Sequence, residues 1–352
     1  FFFQAEDGIR DVAVDWSSDG ALPICLVKCA LDAGGSIHPL IIPAAQTNGT
    51  GLMNPSIYQD GTELLVNIRH VNYTLYHSEN KKFQHRYGPL QYLHPENDRH
   101  LRTWNYVARL NPDLTIRSVQ QVDTSGLDVT PIWEFVGLED ARLFRWNDRL
   151  YLSGVRRDTT TNGQGRMELS EIELASDQVK EISRVRIPAP APDTSYCEKN
   201  WMPILDQPYH YVKWSNPTEV VRYDPDTSTT HTVHLDTSQF IPNLPDFRGS
   251  SHVIPYGANH YLALIHEVDL FKSEAGEKDA VYRHRFVVWN RDWQIVRYTD
   301  SFSFMNADIE FCCGAALVDN ELLLSFGYQD NCAFILRMPR IMLDEFLRMD
   351  GV

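Results

Sequence analysis

Five short polar clusters carry most of the side chains in this chain that are able to do chemistry: Asn54-Pro55, Glu139-Asp140-Ala141-Arg142, Glu198-Lys199-Asn200-Trp201, Gly249-Ser250-Ser251-His252 and Glu310-Phe311-Cys312-Cys313-Gly314. The second is the richest. Two adjacent carboxyls beside a guanidinium make a proton carrier with partners that tune it. A carboxyl that gives up a proton near neutral pH needs its pKa raised by burial or by a neighbouring carboxylate, and Glu139 and Glu310 are the candidates for the latter. Arg142 pulls the other way unless it pairs with Glu139 or holds substrate. The plainer alternative is that Glu139 and Arg142 form a salt bridge tying two structural units together.

Each cluster stands immediately before a repeated pattern. IYQDGTELLVNIR (57–69), LFRWNDRLYLSGV (143–155), ILDQPYHYVKW (204–214), VIPYGANHYLALIH (253–266) and ALVDNELLLSFGY (316–328) each join a short apolar strand to a second strand rich in Leu, Tyr and Val through a polar turn. This design predicts five β-hairpins. Their spacing leaves room for four strands each, so the expected fold is all-β, a five-bladed β-propeller. Further strands are expected over ELSEIEL (168–174), EVVRYD (219–224), HTVHL (231–235) and RHRFVVW (283–289), and a short C-terminal helix over 339–349, with Met342, Phe346 and Met349 on one face. With each first strand innermost, the five clusters converge on one end of a central channel. A two-sheet sandwich does not predict that convergence.

Composition narrows the partners. The 352 residues carry a formal charge of −15, which opposes nucleic acid and anionic membranes, so any anion has to be held by a local basic pocket. No apolar run reaches the ~18 residues of a membrane helix, and the N-terminus lacks the pattern of a signal peptide. The six cysteines show neither a disulfide framework nor zinc-ligand spacing, and most are expected as buried reduced thiols; no metal site is expected. Residues 1–24 resemble the read-through translation of sequencing adapters found in metagenomic sequences. They are expected to be a non-native prefix that packs poorly on the remainder, leaving residues 25–352 as one catalytic propeller domain. A cytoplasmic location is the expectation, and the sequence is compatible with a homo-oligomer.

In order and chemistry the clusters resemble glycoside hydrolase family 130, the five-bladed propellers that phosphorolyse or hydrolyse β-mannosides. Asn54-Pro55 with Arg69 is similar to that family's opening Asn-Pro and downstream Arg, and GLEDARL (137–143) to its Gly-x-Glu-Asp-Pro-Arg segment, with Ala141 in place of the Pro. EKNWMP (198–203) resembles its Lys-containing third motif, and FGYQD (326–330) followed by Ala333 its closing Tyr-Gly-x-x-Asp, with Phe326 in place of the Tyr. RGSSHVIPY (248–256), YRHRFVVW (282–289) and IEFCCG (309–314) also resemble the mannosyltransferase-like branches of the superfamily.

The resemblance implies cleavage of β-mannosidic bonds with inversion, with Asp140 as general acid acting through a hydroxyl of the bound mannosyl unit, and with phosphorolysis favoured over hydrolysis. It implies no cofactor, and inorganic phosphate as co-substrate alongside a mannoside or oligosaccharide. Lys199, His266 and Tyr282 are the candidate phosphate ligands, and Arg69 adds a further positive charge. Asn54, Arg69, Glu139, Arg142, Asn200, Glu310 and Asp330 are the candidate substrate ligands. Trp201 and Trp214 are candidates for stacking on a sugar, although filling the gap between neighbouring blades is the commoner role for such residues. The alternatives are a β-mannosyltransferase on the same fold and a non-catalytic sugar-binding propeller.

Overall fold

The computed structural model describes residues 24–77, 90–93, 97–237, 241, 247–272 and 278–349. The proposed prefix lies outside them but for Ile24, which pairs in parallel with Phe302 at the edge of a sheet. The described chain is mostly β, as the alternation of apolar residues requires, with a short C-terminal helix at Arg340–Met349.

The strands group into antiparallel four-strand sets. The first consists of Leu52–Asp60, Glu63–Val71, Leu101–Leu110 and Ile116–Asp123. Glu139–Trp146, Arg149–Arg156, Arg166–Leu174 and Val179–Arg186 make the second. Met202–Pro203, His210–Ser215, Thr218–Asp224 and Thr229–Leu235 make the third. In the fourth, Arg248–Gly249 and Ile254–Tyr256 share the edge of His260–Lys272, followed by Lys278–Asn290 and Ile295–Tyr298. The fifth runs Glu310–Val318, Glu321–Tyr328, Cys332–Pro339, and takes its outer strand, Ser36–Pro39, from the opposite end of the chain. The expected strands at 168–174, 219–224, 231–235 and 283–289 all lie within these elements. The third hairpin begins earlier than its sequence pattern implies, at Met202 in place of Ile204.

Because successive side chains on a strand point to opposite faces, each set buries both faces against two neighbours. Leu143, Leu150 and Leu152 pack with Leu65 and Val107 of the first set, while the alternating Phe144, Trp146 and Tyr151 pack with Tyr211 and Val221 of the third. Met202, Val212 and Val220 of the third pack with Tyr261, Val287 and Trp289 of the fourth. Leu262, Leu264 and Phe286 meet Leu322, Leu324 and Leu336 of the fifth, and Leu323 and Ile335 return to Ile57, Val66 and Ile68 of the first. The packing is therefore cyclic. Two-sided burial also explains why these strands read as nearly unbroken apolar runs.

Met342, Leu343, Leu347 and, less deeply, Phe346 seat the C-terminal helix on the core between the fourth and fifth sets. A second helix, Leu26–Asp32, buries Leu26, Val27 and Ala30 in the same cluster. Its two turns carry no cap signal in the sequence, and the reading of the sequence did not find it. All six cysteines are free, but only Cys312 and Cys313 are buried; Cys332 is exposed, and the other three lie half-buried. The expectation of mostly buried thiols fails because Cys25, Cys29 and Cys197 lie on edge, helix-surface and loop positions. Among the described residues no helix is long and apolar enough to cross a membrane.

Candidate active site

The opening strands of the first, second and fifth sets carry register shifts, between Met53 and Ser56, Glu139 and Arg142, and Cys312 and Gly314. A β-bulge re-aims a side chain that would otherwise lie in the pleat. At two of these bulges a non-glycine residue is held in the left-handed region, Asn54 at φ 46° and Asp140 at φ 50°. Asn200, at the head of the third set, has φ 62°. Such backbone costs of order 1 kcal/mol per residue and is kept where the surroundings fix it, commonly at functional sites. The surroundings here are tight. A Cβ on Gly154 would lie 2.3 Å from the carbonyl oxygen of Glu139, and one on Gly327 would lie 2.2 Å from Asn54 Oδ1. Only glycine at those two positions lets the bulges sit where they do.

The bulges bring Asn54 and Asp140 together. Asn54 Nδ2 donates to Asp140 Oδ1 at 2.7 Å, and Arg69 Nη1 donates to the same oxygen at 2.7 Å. Arg69 is buried and spends its other donors on Thr103 Oγ1 (3.2 Å), the Tyr73 hydroxyl (2.9 Å) and Glu139 Oε2 (3.4 Å). Two acceptors in this cluster, Asn54 Oδ1 and Glu139 Oε1, are buried without a hydrogen-bond partner among the described residues. A ligand offering hydroxyl donors would satisfy both.

The charge balance differs from the expected one. Burial pushes Asp140 upward, but the charge of Arg69, the hydrogen bond from Asn54 and the charge of Arg142 outweigh it, and the carboxyl is held below its ordinary value. The expectation of a raised Asp140 therefore fails, because the neighbouring cation and amide favour the anion more than burial disfavours it. The raised acid is Asp330. Burial, together with the charges of Asp140 and Glu139, outweighs Arg69 and pushes it up to about 6. Asp330 stands on the turn between Tyr328 and Cys332, also in the left-handed region at φ 49°.

Arg142 takes neither of the roles expected of it. Its guanidinium is fully buried and donates to the carbonyls of Ser250 (Nε, 2.9 Å), Asp140 (Nη1, 2.8 Å) and Gly249 (Nη2, 3.5 Å), and to Asn200 Oδ1 at 3.5 Å. It does not pair with Glu139, whose partner is Arg69. Arg142 thus clamps the backbone of Asp140 to the heads of the third and fourth sets. Glu310 is likewise committed: its two oxygens accept from the amides of Phe304, Met305 and Ala307 at 2.5, 2.7 and 3.1 Å, which closes the 304–310 loop and leaves the carboxylate no free face for a sugar. Burial raises its pKa despite those amides, and it is not among the main groups acting on Asp140.

Beyond Arg142 the surface changes character. His266 is buried, stacks on Tyr282 with ring centres 5.8 Å apart and meets the edge of Phe311 at 4.8 Å. Its Nδ1 lies 3.4 Å from Ser250 Oγ. Burial first, then His284, Arg248, Arg142 and Lys199, holds its pKa well below the ordinary value, so it is neutral at physiological pH. Lys199 and Arg248 therefore lie within electrostatic reach of the ring. Lys199, His266 and Tyr282, singled out from sequence, are thus neighbours, and Arg248 is a further member that the reading of the sequence did not assign. Its signal was available: Arg248 directly precedes the Gly249–His252 cluster, and its backbone pairs with His266. His252 closes that cluster as a structural group, with Nε2 2.7 Å from the carbonyl oxygen of Leu143. Trp201 is also structural. Its indole is buried between the second and third sets and donates to Glu198 Oε2 at 3.0 Å, so it does not face a sugar.

No family model matches the chain, and no curated protein matches its sequence. Its fold is shared with solved structures. A β-1,2-mannobiose phosphorylase from Listeria innocua, in complex with β-1,2-mannobiose, is 14% identical with a TM-score of 0.51, over 89% of this chain and 97% of that one. A glycosyl hydrolase from Bacteroides ovatus is 8% identical with a TM-score of 0.52, over 82% of this chain and 84% of that one. A structure reported for the GH130 family of mannoside phosphorylases, whose glycoside hydrolases target β-1,2-mannosidic linkages in Candida mannan, is 10% identical with a TM-score of 0.50, over 82% and 84%. At these identities the likeness establishes the fold.

Proposed function

We propose that this chain is a five-bladed β-propeller enzyme of the family 130 type that cleaves β-mannosidic bonds with inversion, using inorganic phosphate in preference to water. Asp140 is its general acid. The observation that carries the reading is the junction at Arg142, where a carboxylate cluster with unsatisfied acceptors adjoins a wall bearing Lys199, Arg248, His266 and Tyr282. A sugar needs the first and an attacking phosphate needs the second. The cyclic packing of the four-strand sets supports the propeller architecture, and the fold shared with a mannobiose phosphorylase supports the substrate class.

In this mechanism the bond from the anomeric carbon to the leaving oxygen breaks as a phosphate oxygen bonds to that carbon, and the leaving oxygen takes up one proton. Asp140 is ionised in the resting protein, so it needs a proton before each turnover. Asp330, which keeps its proton up to about pH 6 and shares the field of Arg69, supplies that proton through a hydroxyl of the bound sugar and regains one from solvent, to which the attacking monohydrogen phosphate releases its own. Phosphate meets Lys199 and Arg248 as cations, while neutral His266 contributes hydrogen bonding.

The test is incubation of the protein with β-1,2-mannobiose, with and without inorganic phosphate. Release of mannose 1-phosphate is expected, and Asp140→Asn should lower turnover by about a thousandfold with an unchanged melting temperature. Mannose release indifferent to phosphate would replace phosphorolysis with hydrolysis. Turnover retained in Asp140→Asn would remove Asp140 from its role.

A further inference from the structure

A cavity of about 170 Å³ lies between the first and second sets, away from the carboxylate cluster but lined by Gly137 and Leu138, which lead directly into Glu139 and Asp140. Its polar walls are buried: Thr103 and Asn105 from the first set, Ser170 and Glu181 from the second, and Asp158 from the loop after Arg149–Arg156. One of these walls has unused hydrogen-bonding capacity. Asp158 Oδ2 accepts from Gly137 N at 2.9 Å and Arg156 Nη1 at 3.2 Å, but Oδ1 is buried and has no partner among the described residues, on a side chain only 7% exposed. Ser170, also buried, lines the same wall.

The charges in the walls are closed on one another. Arg156 Nε binds Glu168 at 2.6 Å while Nη1 takes Asp158, and Arg184 grips Glu181 with Nε and Nη2 at 3.0 and 2.5 Å. An ion entering would find no net counter-charge, whereas a neutral molecule with hydroxyl donors would complete Asp158. An apolar cavity of ~150 Å³ takes a benzene ring, so this volume suits one six-membered ring. The rim, at Asp128 and Val129, is exposed and gives access from solvent.

We propose that this cavity is a second, non-catalytic binding site for a single cyclic polyol, of the size of a free monosaccharide or cyclitol. It rests on the cavity's own geometry and does not depend on the mannoside reading. The test uses the whole chain. Crystals soaked separately in D-mannose and myo-inositol should show a ring in the cavity with a hydroxyl within hydrogen-bonding distance of Asp158 Oδ1. Calorimetric titration with myo-inositol should show binding that weakens about tenfold in Asp158→Asn, which preserves shape but loses the acceptor, and disappears in Ser170→Met, which fills the space. If Ser170→Met fails to fold, Asp158→Asn decides alone. Water as the cavity's only occupant in both soaks, or myo-inositol affinity unchanged by Asp158→Asn, would overturn the proposal whatever the Asp140 site does with mannobiose.

Discussion

The two halves of the candidate active site handle buried charge in opposite ways. On the side built from the first, second and fifth sets, one arginine serves three carboxyls. Arg69 holds Asp140 below its ordinary pKa, while Asp330, which also feels Asp140 and Glu139, stays raised to about 6. On the side built from the third and fourth sets, the positive charges of Arg248, Arg142 and Lys199 bear on His266, and that ring remains neutral. One side is therefore an anion cluster with a proton to give, and the other a wall that carries the positive charges of Lys199 and Arg248. Arg142 separates them: its hydrogen bonds go almost wholly to backbone carbonyls, while its charge lowers the pKa of both Asp140 and His266.

Removing Arg69 is the harshest way to break this contrast. Arg69→Met leaves Asp140, Glu139 and Asp330 without their shared cation, and we expect a loss of about 3–5 kcal/mol in stability at pH 7 together with a drop in turnover of at least ~100-fold. Part of the lost stability should return at pH 5, where the uncompensated carboxyls take up protons. Denaturant unfolding at both pH values checks this; equal losses at both would show that the carboxyls do not form one electrostatic unit.

A milder change on the other side sharpens the assignment of roles. Lys199→Ala should raise KM for phosphate by about tenfold and leave KM for the mannoside nearly unchanged, since a single charged hydrogen bond is worth about 1.5 kcal/mol or more. An equal rise in both constants would assign Lys199 to the sugar. Within the carboxylate half, kcat/KM should fall as pH rises through about 6, following deprotonation of Asp330, and Asp330→Asn should abolish that limb of the profile. A limb that persists in the variant belongs to another group.

The five hairpins were legible because two-sided burial writes apolar runs and turn residues directly into the sequence, as at Leu143–Val155 and Leu317–Tyr328. The clusters were legible because they stand at a fixed place before each hairpin. The roles of Arg142 and Glu310 were not. Both are charged residues committed to backbone groups, and which carbonyl or amide a side chain reaches depends on bulges and on sets distant in sequence, such as the Ser250 carbonyl 108 positions from Arg142. The strand Ser36–Pro39 escaped for a similar reason, since its partner Cys332–Pro339 lies at the other end of the chain. The order of the acid strengths escaped as well. Glu139 and Asp140 read as a pair of carboxyls that raise one another, but Arg69, some 70 positions earlier, reverses the sign for Asp140 and leaves the raised proton on Asp330.

The last expected effect concerns the histidine that joins the two halves without touching the chemistry. His252 heads the fourth set, is fully buried and is held to a pKa of about 3 by desolvation, despite its hydrogen bond to the Leu143 carbonyl. In the unfolded chain it titrates near 6.5, so between those values the unfolded state binds the extra proton and stability falls as pH falls. The contribution is complete above about pH 6.5 and is lost by up to about 1.4 kcal/mol per pH unit below it. His252→Gln keeps an amide donor for Leu143 and cannot titrate. The variant should therefore be somewhat less stable than the wild type at pH 7.5, because the glutamine packs less well, and should gain on it steadily as the pH falls from 6.5 to 4. Comparing the two proteins at each pH cancels the carboxyls they share, Asp140 and Asp330 included. A flat difference across that range would mean that His252 takes up its proton in the folded protein, and the fourth set would then tolerate a buried cation where the packing around Phe144 and Tyr58 argues that it cannot.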